Sequence, residues 1–152
     1  MPADQELPRS VLFACTHNTI RSPMAAGLML LRFGGQVRVD SAGVRPGGQV
    51  SPMAAQVMDE RGADITRVRP KGFDDLEALE TPPFDLIISL SPEAHHRALD
   101  LLPRLGAAAE YWPTFDPSLT EGSREQVLTE YRMVRDGLDR RIAARFQRPS
   151  TG

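Results

Sequence analysis

Cysteine is almost absent from this chain of 152 residues, which contains one cysteine, one tryptophan and three histidines. A single cysteine excludes an internal disulfide and fits a reducing compartment. The cysteine and the histidines also lack the spacing of metal ligands, so we expect no metal site. Nothing else in the sequence indicates a cofactor.

Long apolar runs and an excess of charge are missing as well. The apolar residues 25–31 are far fewer than the ~20 residues that span a bilayer. The first six residues are polar and acidic, unlike a signal peptide. A formal net charge of −2 gives no basic footprint for nucleic acid. We therefore expect a cytoplasmic protein that binds neither membranes nor nucleic acid.

What is present is a pattern of alternating strands and helices, with 41% hydrophobic residues to build a core. Such alternation predicts a parallel sheet covered on both faces. Strands are predicted at residues 11–14, 37–41, 84–90 and 111–112, and helices at about residues 23–33, 52–62, 73–79, 92–102 and 123–146. We expect a small, doubly wound, four-stranded α/β fold that forms a single domain over residues 1–152, with its core at about residues 9–147 and frayed ends.

Several helix starts are marked by serine followed by proline, which predicts serine at the N-cap and proline at the first helical position. The pairs are Ser22-Pro23, Ser51-Pro52 and Ser91-Pro92. The last helix is predicted to begin with a capping box of Ser123 and Gln126. On the first helix, the spacing predicts that Leu31 shares a buried face with Met24 and Leu28.

Other charged residues are predicted to be solvated. Arginines of the last helix are interleaved with acidic residues, which indicates an exposed helix face; they are Arg132, Arg135, Arg140, Arg141 and Arg145. The adjacent His95 and His96 fall on different faces of a helix and are expected to be solvated or partly buried.

The most informative segment joins the first strand to the first helix. Cys15 follows the strand, and Arg21 comes six positions later, beside the predicted helix start. A sharp turn here points backbone N–H groups, the helix dipole and Arg21 at one small volume. The segment predicts a cradle for a tetrahedral anion such as phosphate, formed by Thr16, His17, Asn18, Thr19, Ile20 and Arg21.

The same electrostatic field acts on Cys15. A cysteine at a helix N-terminus beside arginine titrates below the ordinary thiol range, so Cys15 is predicted to be a thiolate at neutral pH, with the Ser22 hydroxyl donating to it. A thiolate beneath a phosphate monoester can attack in line and form a cysteinyl-phosphate that water hydrolyses, while Arg21 stabilises the equatorial oxygens. The alternative, a lone cysteine buried as a small hydrophobe, is disfavoured by this setting.

Two cradle residues have more than one interpretation. Asn18 can adopt a left-handed backbone in the turn, and its side chain can lock the amides of the loop; we favour both together. His17 can line the mouth of the pocket or pack as a surface imidazole, and we favour lining.

Residues 15–26, CTHNTIRSPMAA, resemble the signature of the low-molecular-weight protein tyrosine phosphatases, which is shared by the arsenate reductases of the same fold. The likeness continues through Ser41-Ala42-Gly43, residues 84–88 and Asp116-Pro117, and covers about residues 9–147. It implies a flavodoxin-like topology, a phosphorylated substrate, and a protein tyrosine phosphatase with Cys15 as nucleophile. It also implies that Ser41 supports the cradle and that Asp116 is the general acid for the leaving group. The oligomeric state stays open.

The walls of the pocket depart from this pattern. Relatives that act on phosphotyrosine place aromatic residues after the Asp-Pro pair and in the loop after Ser-Ala-Gly. Those places hold Ser118-Leu119 and residues 44–48, VRPGG, in this sequence. A second cysteine just before the arginine is replaced by Ile20. The sequence therefore leaves open which phosphomonoester is the substrate.

Two other functions also stay open. Arsenate has the shape and charge of phosphate, and residues 52–60 and Pro70-Lys71 resemble the arsenate reductase branch. Thioredoxin-linked reductases need two further cysteines, so only a version that uses an external small thiol remains. Residues 88–92 resemble the phosphatases and favour hydrolysis. A non-catalytic phosphate sensor would need neither the nucleophile nor the acid.

Overall fold

A computed structural model describes residues 7–78 and 83–146 of the chain. Its four strands are β1 (Ser10–Cys15), β2 (Arg38–Gly43), β3 (Leu86–Ser89) and β4 (Ala108–Tyr111). They are all parallel and lie in the order β2-β1-β3-β4. This confirms the predicted four-stranded parallel sheet, although β3 is shorter than predicted and β4 ends just before Trp112.

Five helices surround the sheet. They are α1 (Arg21–Phe33), α2 (Pro52–Asp59), α3 (Phe73–Ala78), α4 (Pro92–Leu105) and α5 (Arg124–Arg145), with a short 3₁₀ turn at Pro117–Leu119. α1, α2 and α5 cover one face, and α3 and α4 cover the other. No helix in the described ranges is long and apolar enough to cross a membrane. The predicted end of the third helix at Leu79 lies outside the described residues.

The strand that leads to the cradle is buried along its whole length, and its side chains alternate between two cores. Val11 and Phe13 belong to the core shared with α1, α2 and α5, whereas Leu12 and Ala14 belong to the core shared with α3 and α4. Burial on both faces explains why this strand is an unbroken apolar run in the sequence. Cys15 ends the strand with only 2% of its surface exposed.

The predicted helix starts are confirmed at three of the four positions. The Ser51 and Ser91 side chains accept from the backbone N–H groups of Ala54 and Ala94, at 3.4 and 3.3 Å. Ser123 and Gln126 form the predicted capping box. The prediction for Ser22 was wrong: α1 begins one residue earlier, at Arg21, and its N-cap Ile20 makes no side-chain cap hydrogen bond. The Ser22 hydroxyl is instead bound to Cys15 and Asn18, within the cradle.

Two predictions about burial were also wrong. Leu31 is 48% exposed, because the buried side of α1 is centred on Ala25, Leu28 and Met29 and position 31 is rotated away from it. Arg135, predicted to be solvated, is 6% exposed. Its guanidinium donates to the Val57 carbonyl at 2.8 Å and to neighbouring carboxylates, so α5 is linked to α2 through it.

Candidate active site

The segment from Cys15 to Arg21 lies at the carboxyl edge of the sheet, where β1 ends and α1 begins. β1 is in the middle of the sheet, and the chain goes from it to β2 on one side and from β2 to β3 on the other. Crevices for ligands in open α/β sheets lie at this switch in winding. The predicted cradle is therefore at the position that the topology favours.

The outside of the cradle is held by the loop that follows β2. Its N–H groups bind four cradle carbonyls in succession: Val44 to Cys15 at 3.2 Å, Arg45 to Thr16 at 2.8 Å, Gly47 to His17 at 2.9 Å and Ser51 to Thr19 at 2.9 Å. Because these carbonyls point outward, the N–H groups of the cradle are left to face its interior. This arrangement creates a concave surface of backbone donors that suits an anion.

Gly43, the last residue of β2, lies against the backbone of the cradle. A Cβ atom at this position would be 2.8 Å from the Asn18 nitrogen and 2.9 Å from the Thr16 oxygen. Both are backbone atoms, which cannot move aside as a flexible side chain would. The close approach therefore requires glycine at position 43.

The sulfur of Cys15 lies within hydrogen-bond distance of two groups of the cradle. The Asn18 N–H donates to Sγ at 3.3 Å, and Ser22 Oγ lies 3.0 Å from it. Ser22 Oγ accepts from Asn18 Nδ2 at 2.8 Å, which leaves its own hydrogen free to donate. The other acceptor in reach, the Ala42 carbonyl, is farther away at 3.4 Å.

Asn18 joins the cradle to the rest of the sheet edge. Its φ of 56° is in the left-handed region, as the sequence predicted. Its fully buried side chain also donates to Ser41 Oγ at 2.9 Å and accepts from the Lys71 N–H at 3.0 Å. The side chain thus locks the cradle, but the backbone amide that it binds is that of Lys71 instead of one in its own loop. Ser41 lies next to the cradle, in contact with Asn18.

Arg21 lies between the cradle and the loop after β4. Its Nη1 donates to the Thr114 carbonyl at 3.1 Å, and its Nη2 is 3.9 Å from Asp116 Oδ2. The side chain is 10% exposed. Since a guanidinium carries five N–H groups, most of them remain available to an anion in the cradle.

Asp116 reaches the same pocket from the loop after β4. Its Oδ1 accepts from both the N–H and the hydroxyl of Ser118, at 3.0 and 2.7 Å. Oδ2 has only the distant Arg21 as a neighbour among these contacts. Oδ2 is therefore the less occupied of the two carboxylate oxygens.

The pocket itself is small, with a volume of about 40 Å³. Its lining consists of Cys15, His17, Thr19, Ile20, Arg21, Asp116 and Ser118. The dimensions and the polar lining suit a small tetrahedral anion that has Cys15 at its floor. Among the described residues, no group of three histidine, cysteine or carboxylate side chains could hold a metal ion.

A charged pair forms part of the rim. Arg45 Nη1 and Glu93 Oε2 are 2.6 Å apart, and His17 Nδ1 is 3.0 Å from the Arg45 carbonyl. The hydrogen bond from Arg45, followed by the charges of His17 and Arg21, lowers the pKa of Glu93. His17 is exposed and lines the pocket, which is the interpretation that the sequence favoured.

The structure thus brings together the cysteine, the arginine and the aspartate that were singled out in the sequence, while their catalytic roles stay predictions. Other contacts had no sequence signal of their own. Thr16 Oγ1 donates to Ser91 Oγ at 3.1 Å, and Thr114 and Ser118 position Arg21 and Asp116. These residues all follow carboxyl ends of strands, and that shared position is the one clue that could have identified them.

Comparison with known proteins adds to this geometry. Residues 10–147 match the family described as low molecular weight phosphotyrosine protein phosphatase. An arsenate reductase of Bacillus licheniformis is 31% identical over 134 residues, which are 88% of this chain and 92% of the relative. A protein-arginine-phosphatase of Geobacillus stearothermophilus is 33% identical over 104 residues, 62% of this chain and 70% of the relative.

Solved structures show the same relationship. A low molecular weight protein tyrosine phosphatase from T. tengcongensis superposes with a TM-score of 0.71 and 26% identity, over 88% of this chain and 95% of that protein. The predicted family and the predicted α/β fold are both confirmed by these matches.

Proposed function

This chain belongs to the low molecular weight phosphotyrosine protein phosphatase family, and we propose that it hydrolyses phosphate monoesters through a cysteinyl-phosphate intermediate. The observation that carries the proposal is the meeting of Cys15, Arg21 and Asp116 around one pocket of about 40 Å³. A nucleophile, a cation for the phosphoryl oxygens and a proton donor are the three groups that the reaction needs.

In the first step, the Cys15 thiolate attacks phosphorus from the floor of the cradle. The S–P bond forms as the P–O bond to the leaving group breaks. The cradle N–H groups and Arg21 stabilise the charge on the equatorial oxygens. Asp116 Oδ2 gives its proton to the departing oxygen, so that the alcohol or phenol leaves in neutral form.

In the second step, water attacks the phosphorus of the intermediate. The P–S bond breaks, a proton of the water moves to the Asp116 carboxylate, and inorganic phosphate leaves. The hydrogen bonds from Asn18 and Ser22 to Sγ favour the thiolate as leaving group. Cys15 and Asp116 thereby return to their starting protonation states.

Protein phosphotyrosine is the first substrate class to test, because the family name specifies it. His17 and Ser118 line the pocket, the Arg45–Glu93 pair lies beside His17, and Leu119 follows Ser118 in the chain. Stacking on a phenyl ring is worth roughly 1 kcal/mol per contact, and residues 118–119 cannot supply it. Phosphoarginine belongs in the same panel, since one relative is a protein-arginine-phosphatase.

Arsenate reduction is the second candidate, because relatives that match most of the chain are arsenate reductases. Reduction of arsenate to arsenite takes two electrons, which two thiols supply as they form a disulfide, with one oxygen leaving as water. Cys15 is the single cysteine of the chain, so the second thiol would be an external small molecule.

A pair of assays separates these functions: hydrolysis of an aryl phosphate, and arsenate-dependent oxidation of added glutathione. We expect hydrolysis by the natural chain and none by Cys15→Ser. Arg21→Lys should lose at least about 100-fold in kcat/KM, because an ammonium cannot hold two oxygens at once. Arg140→Lys, on the exposed side of α5, is the matched control and should leave the rate unchanged.

The alternative outcomes are equally specific. Thiol oxidation without hydrolysis would replace the proposal with arsenate reduction. Phosphate binding without either reaction would make the chain a sensor. Hydrolysis that survives Cys15→Ser would contradict the intermediate on which the proposal depends.

A further inference from the structure

A second concave surface lies beside the cradle. This surface, which we call the basic cleft, is lined by residues 48–50, Pro52, Ala55 and residues 66–70, and has a volume of about 620 Å³. Its charged lining residues are Arg67 and Arg69, both exposed, and the lining contains no acidic side chain. The cleft therefore presents two positive charges to solvent.

These two arginines form no ion pair, unlike several other arginines of the described residues. Arg32, Arg45, Arg61 and Arg97 all form ion pairs, and so do arginines of α5. Within residues 7–78 and 83–146, no carboxylate lies within ion-pair distance of Arg67 or Arg69. The nearby Asp64 is bound to Thr66, and the charge of Arg67 is only the smallest of the contributions that lower its pKa. Two neighbouring cations thus remain available for a ligand.

The basic cleft is directly connected to the cradle. Residues 48–50 line the cleft, while Gly47 and Ser51 on either side of them bind the His17 and Thr19 carbonyls at 2.9 Å. Thr19 also lines the catalytic pocket. The same loop, residues 47–51, therefore contacts the cradle and lines the cleft.

We propose that the basic cleft binds an acidic segment next to the phosphorylated residue of a protein substrate. This inference rests on the proposed function and specifies its substrate class. A residue whose phosphate lies on Cys15 leads its flanking chain out over the rim, and under this proposal carboxylates two to four residues away bind Arg67 and Arg69. Opposite charges on two surfaces steer association and select among partners.

The features of the cleft favour an acidic peptide over other anions. Both arginines are exposed, so each contact is weak, and affinity has to come from several carboxylates along one segment. No aromatic side chain lines the cleft to stack on bases, and the net charge of −2 repels polynucleotides. An acidic segment is covalently linked to the phosphate that lies in the cradle, and this link raises the local concentration of the segment at the cleft. A free anion lacks that link.

The test compares two phosphotyrosine peptides that differ only in having glutamate or glutamine at positions two to four from the phosphate. With the natural chain, we expect kcat/KM to be about 3- to 10-fold higher for the glutamate peptide, and the preference to fade between 50 and 500 mM NaCl. The double variant Arg67→Gln, Arg69→Gln should remove the preference. Hydrolysis of a small aryl phosphate should be unchanged in that variant, because the molecule does not reach the cleft.

Arg140→Gln is the matched control, since it removes an exposed arginine elsewhere and should keep the preference. The double variant Arg67→Glu, Arg69→Glu should reverse the preference, so that kcat/KM is higher for a peptide with lysine at the same positions. Thermal unfolding checks that the variants are folded. If they are not, the inference is tested by the salt dependence of the preference that the natural chain shows for the glutamate peptide.

Several outcomes would overturn the inference. Equal rates on the two peptides would do so, as would a preference that the double variant retains or that Arg140→Gln also loses. Stronger displacement of the peptide by a single-stranded oligonucleotide than by polyglutamate would assign the cleft to nucleic acid instead. If the aryl phosphate is not hydrolysed, the proposed function fails by itself; equilibrium binding of the two peptides to the natural chain then still tests the cleft.

Discussion

At the scale of single residues, a hydrogen bond to one site of a side chain leaves another site of the same side chain free. Ser22 Oγ accepts from Asn18, and this leaves its proton for the Cys15 sulfur. Asp116 uses Oδ1 to accept from Ser118, and this leaves Oδ2 for a proton. In each case a neighbour occupies one site of a side chain and leaves another site free, toward the Cys15 sulfur for Ser22 and at Oδ2 for Asp116.

Removal of the proposed proton donor, Asp116, should affect poor leaving groups most. In Asp116→Asn, we expect kcat on phenyl phosphate to fall by about 100-fold or more, and on p-nitrophenyl phosphate by much less, because nitrophenolate leaves without a proton. The rate of the natural chain should decrease as pH rises, since the acid must be protonated; the variant should lose this dependence. Steady-state kinetics across pH with both substrates provide the measurement.

Asp64→Asn is a suitable control for this substitution. Asp64 accepts from the N–H and hydroxyl of Thr66, just as Asp116 does from Ser118, but it lies outside the catalytic pocket. Its kinetics should match those of the natural chain. Identical pH profiles for Asp116→Asn and the natural chain would show that another group supplies the proton.

At the scale of elements, the loop after β2 sets the shape of the cradle. It binds cradle carbonyls from outside, at distances of 2.8–3.2 Å. The backbone donors that a bound phosphate would contact are therefore held in place by hydrogen bonds between two backbone segments. Gly43, the last residue of β2, lies against the backbone of the cradle as well.

A methyl group at position 43 should therefore displace the cradle. For Gly43→Ala, we expect kcat/KM on an aryl phosphate to fall by about 10- to 100-fold, and inorganic phosphate to inhibit more weakly, because a shift of about 1 Å at a reacting centre has such an effect. Gly48→Ala is the control: a Cβ atom there meets nothing within 4 Å. Equal activity of the two variants would mean that the cradle adapts to the methyl group.

A second element-scale feature is the charged contact between α2 and α5. Glu60, just after α2, accepts from Arg132 at 2.9 Å and from the buried Arg135 at 2.7 Å. The hydrogen bonds from Arg132 and then Arg135 lower the pKa of Glu60 to about 2. A carboxylate with a lowered pKa stabilises the folded state above its unfolded pKa, and this contribution is lost as pH falls toward the folded value.

The stability of Glu60→Gln should show this pH dependence. At pH 7 we expect the variant to unfold about 2–4 °C below the natural chain, equivalent to about 1 kcal/mol. The difference should shrink as pH falls from about 4.5 toward 2, where the natural Glu60 also becomes neutral. Circular dichroism melts at several pH values measure it. Glu125→Gln, whose carboxylate is 3.6 Å from Arg132 alone, should change little at any pH.

At the scale of the whole molecule, the chain has a single cysteine, and the fold places it at the floor of the pocket. Oxidation of Cys15 therefore has no second thiol within the chain with which to form a protective disulfide. Ile20, at the position where the family resemblance implies a second cysteine, lines the same pocket.

Peroxide should inactivate the protein, and the inactivation should become irreversible as the dose increases. We expect dithiothreitol to restore activity after brief oxidation to sulfenic acid, and progressively less of it as sulfinic acid accumulates. Bound phosphate should protect, because it covers the sulfur. In Ile20→Cys, a larger fraction of the activity should be recoverable. Mass spectrometry of Cys15 identifies the oxidised form that is present at each dose. Full recovery of the activity of the natural chain after every dose would contradict the prediction.

Much of the fold was predictable from the sequence because its signals are local. The apolar run of β1 and the serine–proline starts of α2 and α4 depend on neighbours along the chain. The same holds for the cradle, because Cys15 to Arg21 is one continuous turn between a strand and a helix. These features predicted the family and the fold, and singled out Cys15 as the candidate nucleophile, before any contact between distant segments was known.

Only the tertiary structure decided how distant segments complete the site. Asn18 binds Ser41 and the Lys71 N–H, and the Arg21 guanidinium binds the carbonyl of Thr114, 93 positions away. The burial of Arg135 and the pair of free arginines in the basic cleft likewise depend on which elements pack together. Sequence patterns report the preferences of a residue among its near neighbours, whereas these contacts arise because the sheet brings the carboxyl ends of its strands to one edge.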